Sequence, residues 1–468
     1  MGLIAGSGFT TTTFDALFKD EFKDLPTDIM NNRNLLTGMI PKETDQFGRR
    51  IIEAIRTGRL TSLGASSPTA VLPAARHPKY ANPVLVPKEW NAVARVYENT
   101  IERSRTSEAA FKQATAETIR TTIDDAADDF ERMFSNDGAG TLTYIGVVTP
   151  DNLLDAGGAG ADGFICTAAT TTFPYTGAGA VQPEDARRFQ IDQQLEFWST
   201  DTPAAIQHPL DTGITDGYVT SINLVTGTIL IDQDIVPANT TLDTIGGVVT
   251  RKGARITTES REFMGLWGIV SAADPRMNGA AATDQVGLNG LTVAANPLWA
   301  SADLNNGGVL RPITPRLIRQ ASDAINIRTG KRGARPSHLF MPYGARLELG
   351  ELASNINRRV NTTALRGKTG IQGYDEEVDN GEFIQFGNIL VVPLRYAPQN
   401  TAILVTMPEI KFWQITEPHW VDTTGSVMRP SPDRTVSAEA IYRWSGNLCT
   451  TNRAAHCRIS DVLGDDPA

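Results

Sequence analysis

Two glycine-rich segments have the residue types that bind phosphate groups. Gly158 to Gly163 matches the dinucleotide pattern G-x-G-x-x-G. That pattern binds a pyrophosphate when a hydrophobic strand precedes it and a helix follows, because the helix N-terminus then faces the anion. Here no hydrophobic strand precedes the glycines, and threonine-rich sequence follows them. Gly367-Lys368-Thr369 resembles the end of a phosphate-binding loop, but Thr362 stands where its first glycine belongs. We therefore predict that neither segment binds a nucleotide.

Residues that bind metals or act as nucleophiles are dispersed along the chain. Cys449 and Cys457 lie eight positions apart, without the C-x-x-C spacing of metal sites. No H-E-x-x-H or G-x-S-x-G segment occurs. Asp124-Asp125 and Asp128-Asp129 fall on a predicted helix, where a solvated face explains them. We predict no catalytic site, no metal site and no cofactor. The histidines, which show no ligand spacing, are His77, His208, His338, His419 and His456.

Composition places the chain among ordered globular proteins. Its 468 residues are about three times the length of a usual domain, which predicts two or three folded units. No apolar run approaches the roughly 18 residues of a membrane span, and Met1 to Gly6 lacks the features of a secretory signal. The three cysteines are an odd number, which argues against a disulfide framework and favours a reducing cytoplasm with buried thiols.

The charge of the chain is unevenly distributed. A net charge of -10 argues against a protein whose task is to bind nucleic acid tightly. Residues 51–106 nevertheless carry eight basic and four acidic groups, a net +4, and residues 1–50 carry six basic and seven acidic groups, a net -1. Subtracting both from -10 leaves -13 for residues 107–468. A basic segment and an acidic remainder suit subunits that dock on copies of themselves, although a solvated hairpin also explains the patch.

The first third of the sequence predicts three elements of different kinds. Phe14 to Phe22 predicts a short amphipathic helix in an arm that lies along another surface. Residues 58–98 contain five prolines and little helical period, which predicts an extended two-stranded projection. Ser107 to Ser135 has one apolar stripe and predicts a long helix that packs on one side and ends at Asn136-Asp137-Gly138. A coiled coil is the weaker alternative because heptads are not sustained.

The remainder of the chain predicts a mixture of strands and helices. Residues 186–253 contain four or five short strands, with a turn at Val225-Thr226-Gly227, and predict a small inserted β-barrel. This segment has four basic and eight acidic groups, a net -4. Thr314-Pro315 predicts the start of a helix that ends at Gly330. Further strands follow to the C-terminus, and the glycine-rich and threonine-rich residues 157–180 predict a loop. The predicted fold class is α+β with mainly antiparallel sheet.

The order of these parts resembles the major capsid proteins of tailed double-stranded DNA bacteriophages, whose fold is shared with encapsulins. The similarity covers essentially the whole chain and lies in architecture rather than in a sharp motif. The stretches that fit are Asn34-Leu35-Leu36 through Asp45-Gln46-Phe47-Gly48, Phe130 through Phe134 running into Asp137-Gly138-Ala139-Gly140, Gly265 through Val270, and Asn452 through Ile459.

The resemblance implies a subunit that assembles into an icosahedral shell around the phage genome, with no enzymatic activity. It implies pentamers and hexamers of the chain, a virion location, assembly in the host cytoplasm, and non-specific contact with packaged DNA. Some members of the family carry a cleaved N-terminal scaffolding segment. Because only about 50 residues precede the extended loop here, a separate scaffolding protein is expected, with a portal and decoration proteins as further partners. The implied domains are an N-terminal arm (1–56), an extended loop (57–104), a peripheral domain with the long spine helix (105–185, continued at 254–300), the inserted β-barrel (186–253), an axial domain (301–425) and C-terminal strands that return to the core (426–468).

Three basic residues of the extended loop are the predicted subunit-interface residues: Arg76, Lys79 and Lys88. We expect the loop to act as a basic clasp on the acidic surface of a neighbouring subunit. Lys79 and Lys88 are also candidates, by position only, for the lysine that some family members crosslink to an asparagine. Two other functions stay open, namely an encapsulin-like storage shell and a soluble enzyme with a deep polar pocket.

Overall fold

The computed structural model describes part of the chain, and all structural statements concern that part. The described residues are 35–44, 51–52, 54–58, 62, 77–97, 108–145, 153–154, 163–166, 183–198, 207–208, 216–233, 247–256, 260–271, 288–330, 335–350, 375–378, 383–386, 388–398, 400–422, 429–430 and 437–463. The predicted helix at Phe14 to Phe22 lies outside them. Within these ranges no helix is both long and apolar enough to cross a membrane.

The described helices and strands confirm the predicted α+β class. The helices are α1 (Leu35–Met39), α2 (Glu108–Phe134), α3 (Leu266–Ile269) and α4 (Pro315–Thr329), with a further helical segment at 343–350. The strands are β1 (Lys42–Glu43), β2 (Ile51–Ile52), β3 (Ile55–Arg56), β4 (Tyr80–Ala81), β5 (Val84–Leu85), β6 (Lys88–Tyr97), β7 (Thr141–Ile145), β8 (Leu153–Leu154), β9 (Gly163–Ile165), β10 (Gln194–Trp198), β11 (Gln207–His208), β12 (Asp216–Asn223), β13 (Thr228–Ile231), β14 (Gly247–Arg251), β15 (Ala302–Leu304), β16 (His338–Met341), β17 (Asp375–Val378), β18 (Phe383–Phe386), β19 (Ile389–Pro393), β20 (Thr401–Val405), β21 (Ile410–Trp420), β22 (Arg429–Pro430), β23 (Ser437–Thr450) and β24 (Cys457–Ser460).

The chain forms two compact units. The first comprises Met1–Arg49, Pro87–Phe134 and Phe412–Asn447. The second comprises Arg50–Val86, Ser135–Lys411 and Leu448–Ala468. Both units are therefore built from segments that are distant in sequence.

The first unit places helix α2 on a five-stranded sheet. The sheet order is β1-β21-β23-β22, and β6 also pairs with β23. Helix α2 confirms the predicted long helix within one residue at each end. Its described apolar stripe includes Ile123 and Phe130, which are fully buried, as expected for a helix that packs on one side.

One feature of α2 contradicts the prediction of a wholly solvated acidic face. Asp129 is buried, and its carboxylate accepts hydrogen bonds from Trp90 Nε1 at 3.0 Å and from Arg132 Nε at 2.9 Å. A buried carboxylate persists where donors compensate its lost hydration. The sequence stripe did not indicate this because one donor, Trp90, lies in β6, far along the chain.

Gly446 allows β23 to approach its neighbours closely. A Cβ atom at this position would lie 2.5 Å from the carbonyl oxygen of Trp413 and 2.6 Å from Cε1 of Phe412. We expect Gly446→Ala to lower the free energy of unfolding by about 2 kcal/mol, because backbone and ring atoms must shift. Urea unfolding of the unassembled chain measures the change. Gly253→Ala is a poor control because of its positive φ, whereas Ser445→Ala changes the adjacent residue without adding a Cβ. A Gly446→Ala chain as stable as the wild type would contradict the close packing.

The second unit contains an eight-stranded sheet in the order β7-β14-β10-β12-β13-β9-β8, with β11 paired to β10. Its core contains Phe164, Phe189 and Phe197, with ring centroids 5.7 to 5.8 Å apart at the two contacts of Phe164. The predicted turn between β12 and β13 is present, since Asn223 Oδ1 accepts from the backbone N–H of Val225 at 3.0 Å.

This sheet differs from the predicted insertion at 186–253 in its extent. Strand β14 pairs with β7, and β13 pairs with β9, so three strands before residue 186 belong to the same sheet. The segment 157–180 was predicted to be a loop, but Gly163–Ile165 within it is a strand. Strands β8 and β9 have two and three residues, too few to show the alternating pattern by which a strand is recognised in a sequence.

The extent of this sheet gives a testable difference between two fragments. We expect residues 140–254 to fold as a β-sheet and residues 186–253 to remain mostly unfolded. The shorter fragment leaves β13 and β14 each with one partner strand instead of two, and it removes Leu142, Ile145 and Phe164 from the core. Far-ultraviolet circular dichroism of the two purified fragments distinguishes them. Equal sheet content per residue in both fragments would contradict the requirement for β7, β8 and β9.

A second sheet of the same unit has seven strands in the order β15-β24-β20-β16-β19-β18-β17. Helix α4 covers it and confirms the predicted caps: Thr314 Oγ1 accepts from the N–H of Leu317 at 3.2 Å, and Gly330 has a φ of 76°. The sheet does not follow the predicted boundary at residue 425, since Ile410–Trp420 pairs in the five-stranded sheet and Cys457–Ser460 joins the seven-stranded one. When a strand joins a sheet whose other strands are distant in sequence, the local sequence pattern does not indicate which sheet it joins.

Candidate subunit interface

The three predicted interface residues lie in different parts of the molecule. Arg76 is outside the described residues. Lys79 is exposed and belongs to the second unit, where its carbonyl oxygen accepts from the N–H groups of Thr57 at 2.9 Å and Gly58 at 3.2 Å. Lys88 is half-buried and begins β6 in the first unit, opposite Gly446. Their joint role in an interface remains a prediction.

A two-stranded pairing is present in the second unit, but its strands differ from the prediction for 58–98: the first strand lies before residue 57, and β6 (Lys88–Tyr97) pairs with β23 in the first unit instead. Ile51 and Ile52 pair with Leu85 and Val84, and the same antiparallel register continues from Ile55–Ala81 to Arg56–Tyr80. We call these residues, 51–58 and 77–85, the hairpin. A constant register over both pairs means that the two strands run together without an inserted residue.

The hairpin is attached to the second unit at its base. The N–H of Val84 donates to the carbonyl oxygen of Asn289 at 2.8 Å, and Leu85 is 3% exposed. Asn289 has a φ of 55°, and its Nδ2 donates to Cys449 Sγ at 3.0 Å. The buried side-chain amide of Asn289, held by its hydrogen bond to Cys449, stabilises this positive φ, which is uncommon for a residue other than glycine. The base is therefore a fixed platform for the rest of the hairpin.

The surface of the hairpin combines apolar and basic groups. Ile52 is 61% exposed and Tyr80 is 64% exposed. Arg56, directly opposite Tyr80, is exposed, and so is Lys79. None of the described residues from 51 to 86 is acidic, and Glu53 lies outside them. Exposed aromatic and aliphatic side chains beside cations are typical of surfaces that bind other proteins.

Strand β6 is fixed to α2 and β23 by its side chains. The Trp90 ring lies 4.5 Å from the Phe130 ring in addition to its bond to Asp129. Arg95 forms an ion pair and hydrogen bonds with Glu439, whose side chain is 6% exposed. These contacts join residues up to 344 positions apart, so no sequence pattern could have indicated them.

A group of titratable side chains at the eight-stranded sheet contains a structural ion pair. Asp185 accepts from Thr143 Oγ1 at 3.0 Å and pairs with Arg188 at 3.1 Å. Burial raises the pKa of Asp185, opposed by Arg188 and by the Thr143 bond. Burial also raises the pKa of the Cys166 thiol, with a smaller effect from Asp185. An activated nucleophilic thiol has a lowered pKa, so this cluster fixes 183–188 on the sheet instead of activating Cys166.

The structure gives the last glycine of the dinucleotide-like pattern a different role. Gly163 lies in β9, where a Cβ would be 2.4 Å from the carbonyl oxygen of Ile229. The absence of a side chain therefore permits close strand pairing. The other glycines of the pattern and Gly367-Lys368-Thr369 lie outside the described residues. Among the residues that are described, no three histidine, cysteine or acidic side chains group in a way that could hold a metal ion.

The clasp hypothesis predicts an effect on assembly that is separate from folding. Replacing Arg76, Lys79 and Lys88 by glutamate is expected to reduce shell yield at low salt while leaving the thermal midpoint unchanged. Each exposed pair contributes only about 0.2 to 1 kcal/mol, but the contact repeats in every subunit. A matched control with the same change in charge replaces Arg120, Lys252 and Arg335 by glutamate. Unchanged shells at low and at high salt would mean that the charges of Arg76, Lys79 and Lys88 are solvated and form no contact between subunits.

Comparison with known proteins gave likenesses in structure alone. No protein-family model matches the sequence, and no curated protein matches it. A subunit of the cyanophage A-1(L) capsid is 10% identical, with 92% of each chain covered and a TM-score of 0.46. A structure from Mycobacterium phage Bobi is 11% identical, covering 92% of this chain and 91% of its own, with a TM-score of 0.39. The capsid of Myoviridae phage XM1 is 5% identical, covering 91% and 90%, with a TM-score of 0.39.

Proposed function

We propose that this chain is a structural protein that self-assembles into the icosahedral shell enclosing the genome of a tailed double-stranded DNA bacteriophage. The observation that carries the proposal is the hairpin. Its base is packed and hydrogen-bonded, whereas Ile52 and Tyr80 are exposed beside two cations. A rigid apolar and basic surface on a chain of net charge -10 complements the acidic surface of another copy.

The separation into two units supports the same role. The first unit has a 27-residue helix on a sheet that β6 joins directly after the hairpin. Strand β6 is held in that sheet by the contacts of Trp90 and Arg95. A negative net charge suits a protein shell around DNA, because such a shell encloses the genome without binding its phosphates tightly.

Partners beyond the chain itself belong to the same proposal. Pentamers and hexamers of the chain form the shell in the host cytoplasm, with a scaffolding protein to guide curvature and a portal at one vertex. Decoration proteins bind the outer surface of the assembled particle. No catalytic role is part of the proposal, and the cluster around Asp185 acts in folding.

Sedimentation velocity at micromolar protein, with and without the scaffolding partner, tests the proposal. We expect species far larger than the 50.6 kDa monomer. A chain that sediments only as a monomer under both conditions would refute self-assembly. Shells that form but enclose protein and no DNA in infected cells would support the encapsulin-like alternative instead.

A further inference from the structure

Asparagine is followed by glycine at four places in the chain, namely Asn278, Asn289, Asn306 and Asn380. This dipeptide deamidates more readily than other asparagine sequences, because glycine has no side chain to shield its backbone nitrogen or to restrict its backbone. Asn278 and Asn380 lie outside the described residues. Asn289 and Asn306 both belong to the second unit, and the structure gives them opposite environments.

Asn289 is held in a conformation that opposes the reaction. It is 5% exposed, and its Nδ2 donates to Cys449 Sγ at 3.0 Å. Leu288 and Leu291 exchange both of their backbone hydrogen bonds at 3.1 Å and thereby fix Gly290 in a tight turn. Attack on the Asn289 side chain requires this buried turn to open first, and the free energy of opening slows the reaction.

Asn306 lies in an exposed turn between β15 and α4, where residues 305–310 are all exposed. Gly307 has a φ of 72°, and a Cβ atom there would have no heavy atom within 4 Å, so the space beside its backbone is open. The N–H of Gly307 donates to Asn305 Oδ1, and Asn306 Nδ2 donates to the carbonyl oxygen of Val309 at 2.6 Å. Both bonds are exposed to solvent and exchange readily with bonds to water.

Asp461 positions the backbone on both sides of the Gly307 nitrogen. Its Oδ2 accepts from the N–H of Asn306 at 2.7 Å and from the N–H of Gly308 at 3.0 Å. The bond from Asn306 Nδ2 to Val309 means that the Asn306 side chain extends along the turn, in the direction of Gly307. The folded turn therefore keeps the side-chain amide close to the nitrogen that attacks it.

We propose that Asn306 is a site of spontaneous deamidation in the folded chain, whereas Asn289 is protected. The backbone nitrogen of Gly307 loses its proton to solvent and attacks Cγ of Asn306. The bond from Cγ to Nδ2 then breaks, and Nδ2 takes up a proton and leaves as ammonia. Water opens the resulting cyclic imide to aspartate or to isoaspartate. The inference is independent of the proposed function, since it depends on the folded turn alone.

The product changes the turn in two ways. Each event places one new negative charge beside the Asp461 carboxylate, which repels it. Isoaspartate also adds one methylene group to the backbone between residues 306 and 307, which shifts the N–H of Gly308 relative to Asp461 Oδ2. Deamidation therefore weakens the bonds that join this turn to the residue after β24.

Peptide mass spectrometry of the unassembled full-length chain, incubated at a mildly alkaline pH, tests the proposal. We expect Asn306 to deamidate at least about tenfold faster than Asn289 in the folded chain. The same chain in urea is the control, because unfolding exposes both Asn-Gly sequences and is expected to bring the two rates together. A second control is Asn306→Gln, whose longer side chain forms the cyclic imide far more slowly. This variant is expected to stay unmodified at position 306 and to leave the rate at Asn289 unchanged.

Two results would overturn the inference. If Asn306 stays intact in the folded chain for the time in which both sites react in urea, the hydrogen bonds of the turn protect it. If Asn289 and Asn306 react at equal rates in the folded chain, burial and the bond to Cys449 give no protection, and the dipeptide alone determines the rate.

Discussion

Replacing Trp444 with alanine is expected to lower the free energy of unfolding by about 3 to 5 kcal/mol, the largest effect among the substitutions considered. The Trp444 side chain is fully buried in the first unit. Its ring centroid lies 4.6 Å from that of Phe130 and 4.5 Å from that of Phe412. Its Nε1 donates to Gln414 Oε1 at 3.0 Å. Alanine removes the ring that joins α2 to two strands and leaves the Gln414 oxygen buried without this donor.

The variant Trp444→Phe separates packing from hydrogen bonding. It retains an aromatic ring against Phe130 and loses the indole N–H, so we expect a smaller loss of about 1 to 3 kcal/mol. Urea unfolding of the unassembled chain measures both variants. A loss below about 1 kcal/mol for Trp444→Ala would mean that this aromatic cluster is not the core of the first unit.

Acidification is expected to destabilise the second unit through His456. This side chain is fully buried, and burial lowers its pKa from 6.5 to about 3, with a further contribution from the charge of Arg453. The backbone N–H of Thr406 donates to Nδ1 at 3.3 Å, so Nδ1 has no proton. The Nε2 atom, 3.0 Å from Thr450 Oγ1, therefore carries the proton of the neutral ring. The neutral ring thus links the segments that follow β20 and precede β24.

The sign of the pH effect follows from the direction of this shift. Because the pKa is lower in the folded state, the unfolded chain binds a proton first as the pH falls. The contribution of His456 is fully present above its unfolded pKa of 6.5 and is lost as the pH falls toward about 3. At a pH of about 4 the loss is about 3 kcal/mol, since one pKa unit corresponds to about 1.4 kcal/mol.

Comparison with His456→Gln isolates this effect from the carboxylates that also titrate in acid. Glutamine keeps an amide donor and acceptor but takes up no proton. We expect its stability to fall less than that of the wild type between neutral pH and a pH of about 4, by about 3 kcal/mol. Equal losses in both proteins would show that His456 does not control acid stability.

Local sequence patterns correctly predicted those elements whose stabilising contacts lie between neighbouring residues. The apolar stripe predicted α2, and Thr314, Pro315 and Gly330 predicted the ends of α4, because caps and helical period are properties of neighbouring residues. The prolines of 58–98 correctly excluded a helix from its described part, 77–97, but they did not indicate that residues 51–56 supply the first strand of the hairpin.

Contacts between distant segments were not predictable in the same way. Asp129 has the sequence context of a solvated residue and is buried because Trp90 reaches it from another strand. The extent of the eight-stranded sheet was missed since β7 and β9 join it through pairing partners roughly 60 to 110 residues later, and β8 joins it only through β9. Of the predicted interface residues, Lys79 is exposed in the structure. Its exposed apolar neighbours Ile52 and Tyr80 were not recognised, because exposure of an apolar residue has no local signal.

Electron microscopy of the purified full-length chain tests self-assembly most directly. We predict closed particles of uniform diameter, or capsomers of five and six subunits that close into such particles when the scaffolding partner is added. The proposed function assigns this assembly to the hairpin with exposed Ile52 and Tyr80, so we expect Ile52→Asp with Tyr80→Asp to abolish the particles while Leu85 stays buried and the chain stays folded. Dispersed monomers of 50.6 kDa from the wild-type chain, with and without the scaffolding partner, would contradict the account.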